Sequence, residues 1–87
     1  MKAIYVVTPT ARYSREEFAR RGQEIFDRTV RPTLRADQDG QFVAIDIESG
    51  GYEIDPGDYT ATERLLRRCP DAQAWLMQVG QPAAYRL

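Results

Sequence analysis

Four carboxylates fall within twelve residues of the stretch AIDIESGGYEID at 44–55: Asp46, Glu48, Glu53 and Asp55. Side chains of this type, gathered this closely, can do one of several things. Hard oxygen ligands can hold calcium or magnesium. Two carboxyls about 5–9 Å apart across a cleft, one with a raised pKa, can cleave a glycosidic bond. A carboxylate face can also meet a basic partner, or simply face water. The metal reading is weakened by spacing, since no twelve-residue calcium loop closed by Glu is present. The catalytic reading is weakened by exposure, since carboxylates on an open face are not desolvated.

Two short strands around a Gly-Gly turn must position these groups. QFVAIDI at 41–47 alternates, with Val43, Ile45 and Ile47 on one face and Phe42, Ala44 and Asp46 on the other. YEI returns the chain and adds Tyr52 and Ile54 to the first face. With Ser49-Gly50 central in the turn, Asp46 lies opposite Glu53; with Gly50-Gly51 central, Glu48 does. Either register places Asp46, Glu48, Glu53 and Asp55 together on the outer face. Like charges opposite one another destabilise a sheet, so that face must be wet or answered by cations. Among the arginines of the basic N-terminal half, Arg12, Arg15 and Arg35 lack a carboxylate partner on their own helix.

The other elements follow from local signals. KAIYVVT at 2–8 has strand composition. Ser14 and Glu17 form a capping box, and Tyr13 and Phe18 occupy the positions of a hydrophobic staple. Phe18, Gly22, Ile25, Phe26 and Val30 give an apolar stripe that ends before Pro32. The missing side chain of Gly22 leaves room for another backbone to approach. Glu16–Arg20, Glu17–Arg21, Glu24–Arg28 and Asp27–Arg31 are spaced i to i+4 with the acid first, the favoured order. Asp55-Pro56-Gly57-Asp58 reads as a second helix start, with Asp55 as N-cap. Tyr59, Thr62, Leu65, Leu66 and Cys69 form its stripe, and Arg64, Arg67 and Arg68 point away or sit near the C-terminal end, where the dipole favours cations. AQAWLMQV at 72–79 is apolar on both faces, as a central strand is. AAYRL at 83–87 supplies a last strand. The order β-α-β-β-α-β-β predicts one α+β domain over 1–87. Its mostly antiparallel sheet has four to five strands, with two helices on one face. Residues 1–13 form an arm or an edge strand.

Composition narrows the function classes. The chain has 87 residues, no histidine and one cysteine. His/Cys zinc sites and Ser-His-Asp or Cys-His catalysis therefore cannot be assembled within it. Walker, dinucleotide and RNP patterns are missing. Cys69 ends a helix, where the dipole opposes a thiolate, and reads as a packing residue. Residues 1–36 carry a net charge of +4 and residues 37–87 a net of −5. The near-zero total argues against a dedicated nucleic-acid binder. The apolar run at the start, Ala3 to Val7, is too short for a signal peptide or membrane helix, which gives a cytoplasmic expectation.

The frame GQFVAIDIESGGYEID, then ERLLRR, PDA and GQPAAYRL resembles a family of small uncharacterised bacterial proteins. The likeness covers residues 40–87 and the GQEIFD segment upstream. It implies no established activity. Members encoded beside small proteases or toxin-like genes imply an accessory or antitoxin-like role. Tyr85 and Arg86, with Gly80 and Pro82, match its closing motif. The expectation is thus a non-enzymatic interaction module without cofactor or metal, binding another protein or a second copy of itself. Its candidate contact residues are Asp46, Glu48, Glu53, Arg12, Arg15, Arg35, Tyr85 and Arg86. Nucleic-acid binding through the arginine helix 14–31, and a carboxylate- or metal-dependent enzyme, are the alternatives.

Overall fold

The structure is a computed structural model that describes residues 11–80 and the backbone of a two-residue strand at 5–6. The elements are β1 (Tyr5–Val6), α1 (Arg15–Ile25), β2 (Phe42–Asp46), β3 (Tyr52–Asp55), α2 (Asp58–Arg68) and β4 (Ala74–Gln78). The fold is α+β with an antiparallel sheet, ordered β1-β4-β2-β3. The expected last strand at 83–87, with Tyr85 and Arg86, lies outside the described residues.

Ser14 caps α1 by accepting the Glu17 amide at 3.1 Å, and the rings of Tyr13 and Phe18 meet edge-on at 5.9 Å. The α-helix ends at Ile25 and continues as a π turn, Phe26–Val30, and a 3-10 turn, Arg31–Thr33. The inward residues Phe18, Gly22, Phe26 and Val30 are four apart. On a regular helix each such step drifts by roughly 40°. The wider π turn keeps Phe26 and Val30 facing the sheet. Gly22 does serve a close approach, but the visitor is a side chain: a Cβ at Gly22 would overlap the indole of Trp75.

The helices do not share a face of the sheet. Phe18, Phe26 and Val30 pack against Val43, Ile45, Trp75 and Met77. Ala61 and Leu65 pack against Ala44, Ala74 and Leu76. Strand residues alternate between faces, so α1 and α2 lie on opposite sides. The expectation of two helices on one face is corrected for a plain reason. β2 and β4 carry apolar residues on both faces, and each face needs a cover. The cover on the α1 side is aromatic and bulky, and that on the α2 side is alanine-rich.

Two further corrections concern α2. It begins at Asp58 with Gly57 as N-cap, while Asp55 stays in β3 and accepts the Gly57 amide at 2.9 Å. Its inward stripe is Ala61 and Leu65, with Leu66 and Cys69 partly covered. Tyr59 lies off that stripe and is 74% exposed.

Candidate functional site

Asp46 is 5% exposed. Its Oδ1 accepts the backbone amides of Glu48 and Gln73, each at 3.1 Å, and its Oδ2 accepts the Ser49 hydroxyl at 2.7 Å. A buried carboxylate needs such donors. The Glu48 amide bond is an Asx-turn, and it explains the hairpin's shape. The chain runs through a four-residue loop, 47–50, closed by Asp46 N–H donating to the Gly51 carbonyl and Gly50 N–H to the Asp46 carbonyl, both at 2.8 Å. Gly50 takes φ +84° to allow it. The register is Ile45 opposite Tyr52 and Ala44 opposite Glu53, neither of the two-residue turns expected. The separation of faces survives, because Val43, Ile45, Tyr52 and Ile54 still lie together.

Glu48 leaves the sheet and meets the segment before α1. Its carboxylate accepts Arg12 Nη2 at 2.6 Å and the Tyr13 hydroxyl at 2.8 Å. Arg12, and then the Tyr13 hydroxyl, hold the Glu48 carboxyl below its usual range; the same hydrogen bond pushes the Tyr13 phenol up. Arg21 stacks over the Tyr13 ring at 4.6 Å. The Arg12 amide donates to the side-chain oxygen of Gln73 at 2.7 Å. Gln73 itself is 1% exposed, and this buried residue joins the entry of α1 to Asp46, its side-chain oxygen accepting from Arg12 and its backbone amide donating to Asp46.

Glu53 and Asp55 are answered by α2. Arg68 pairs with Glu53 at 3.0 Å and Arg64 with Asp55 at 3.2 Å. The spacing explains the match. Four residues of helix rise about 6 Å, and two residues of strand rise about 6.6 Å. Two arginines one turn apart therefore meet two carboxylates on one strand face, with α2 running antiparallel to β3. Of the two placements expected from the sequence, pointing away is therefore corrected for Arg64 and Arg68. They cover the acidic face.

The other candidates do not join this cluster. Arg35 pairs locally with Asp37 at 3.1 Å. Arg15 pairs with no carboxylate among the described residues. The other arginines of α1 and its extension, Arg20, Arg21, Arg28 and Arg31, are held by Glu17, Glu24 and Asp27. Among the described residues no three carboxylate or thiol side chains converge as a metal site would require, and no helix is long and apolar enough to cross a membrane. The sequence reading missed Gln73, Arg64 and Arg68. Gln73 was signalled as one of two polar residues in the apolar run 72–79, and the arginine pair by its i,i+4 spacing against Glu53 and Asp55.

What remains open is backbone. Asp46, Ala44 and Phe42 point their amides and carbonyls to the β3 side; Gly51 accepts the Asp46 amide, Gly50 donates to the Asp46 carbonyl, and Ala44 and Phe42 lie opposite Glu53 and Asp55. The amides and carbonyls of Tyr52 and Ile54 therefore point outward from the edge. Arg68 Nη2 donates to the Tyr52 carbonyl at 3.0 Å. No strand pairs with this edge among the described residues. No family model, curated protein or solved structure matches the chain.

Proposed function

We propose that this chain is a non-enzymatic interaction module that binds an extended protein segment by strand addition at β3. The observation that carries this reading is the outer edge of β3, where Tyr52 and Ile54 present main-chain donors and acceptors beside half-buried apolar side chains. Such an edge is a template for pairing with another chain. The hairpin carboxylates support the same reading. Each is engaged by a donor of its own chain, and on this reading they fix the strand whose edge takes the partner. An accessory or antitoxin-like setting, implied by the family resemblance, suits a small module of this kind, and a cytoplasmic location is part of the proposal.

Ile54→Pro tests the reading. Its lost amide faces outward, so the substitution removes a pairing donor without removing a bond of the β2–β3 ladder. Native mass spectrometry of the chain isolated at cellular concentration should show a bound second chain for the wild type and its loss in Ile54→Pro, with the fold retained by circular dichroism. A wild type found only as a single chain, or a variant that keeps its partner, contradicts the proposal.

A further inference from the structure

Resting on that strand-addition reading, we infer that the β3 edge pairs with the β3 edge of a second copy of this chain, about a two-fold axis through Glu53. Within β3 only Tyr52 and Ile54 face outward, and both flank Glu53. An antiparallel pairing of two such edges makes its hydrogen bonds where outward residues meet outward residues. Setting Tyr52 against the partner's Ile54, and Ile54 against the partner's Tyr52, satisfies this twice and makes four main-chain bonds. Glu53 then faces its own copy. The contact is isologous, as a two-fold interface must be.

Side chains on both faces fit the same axis. Tyr52 and Ile54 lie on the α1 side of the sheet, partly buried against its core. Across the axis they form two aromatic–aliphatic cross-strand pairs, a favourable combination. On the α2 side the two Glu53 carboxylates come together, which alone would repel. Each arrives with a cation already in place, since Arg68 sits 3.0 Å from Glu53. Two carboxylates and two guanidiniums then alternate around the axis. Asp55 comes opposite Gly51 of the second copy, which has no side chain to obstruct it.

Arg68 has two roles in this account. In the single chain it occupies the Tyr52 carbonyl, the acceptor that the second copy's Ile54 amide would take. Its side chain is 51% exposed. On pairing it gives up that carbonyl, keeps Glu53, and gains the second copy's Glu53. The edge is thus guarded in the single chain by the same residue that neutralises the pair.

Sedimentation equilibrium on the full chain, with charge-altered variants, tests the inference. The wild type should show a mass rising with concentration from one chain toward two. Glu53→Arg places four cations at the axis and Arg68→Glu four anions, so each variant alone should remain a single chain. Mixed, they restore alternating charge and should form a mixed dimer. Misfolding does not produce that result. Should either variant fail to fold, the double variant E53R/R68E, with the pair restored in reversed sign, should dimerise with itself. A wild type that stays a single chain up to about 1 mM, where binding would be worth no more than roughly 4 kcal/mol, overturns the inference. So does a mixture that stays monomeric while the wild type dimerises, or a well-folded double variant that does not dimerise. A monomeric wild type that binds a different chain, and loses it in Ile54→Pro, overturns self-pairing and leaves strand addition standing.

Discussion

At the scale of the residue, Asp46 is the hairpin's most constrained group. Its two oxygens serve a loop amide, a hydroxyl and the amide that starts the approach to β4. Asp46→Ala removes both acceptor oxygens and with them three hydrogen bonds, that of the buried Gln73 backbone amide included. We expect a loss of about 2–4 kcal/mol, since each unsatisfied buried group costs about 1–3 kcal/mol; urea unfolding measures it. The carboxylates' common face was legible in the sequence, because alternation alone sets it. Their partners were not. Which arginine reaches which acid depends on where α2 is laid, and that is a tertiary fact. One clue was present: Phe42 and Ala44 share the face of Asp46, and apolar residues there argue against a face left to water.

At the scale of the element, the capping of α1 by Ser14 and its staple through Tyr13 and Phe18 were legible because both are local. The division of helices between faces was legible in the doubly apolar β4, yet it requires weighing both faces of the strand at once. The hairpin turn was illegible for a different reason. Gly-Gly suggests a two-residue turn, while the Asp46 side chain competes as an internal cap and draws the loop out to four residues. Gly22 shows how helix and sheet are fitted. Alanine is a better helix former than glycine by about 1 kcal/mol. Yet its Cβ would overlap the buried Trp75 ring, and overpacking costs typically 1–3 kcal/mol. We expect Gly22→Ala to destabilise by about 1–2 kcal/mol net, read as a lower denaturant midpoint with an unchanged slope.

At the scale of the whole molecule, the split charge read from the sequence resolves into pairing. The acids of 46–55 meet backbone amides, Arg12, Arg64 and Arg68, and the basic helix is balanced by acids of its own. On the proposed reading the outward-facing main chain of β3, with Arg68 on its Tyr52 carbonyl, is what a partner would meet. Amide hydrogen exchange along β3, followed by NMR at increasing protein concentration, tests this most directly. In dilute solution the amides of Glu53 and Asp55 should be protected by the β2 ladder while those of Tyr52 and Ile54 exchange freely. On concentration, Tyr52 and Ile54 should become protected. Tyr52 and Ile54 amides that are protected even at the lowest concentration would show the edge already covered, and amides that stay unprotected at every concentration would show that no second copy takes it; either result contradicts the account.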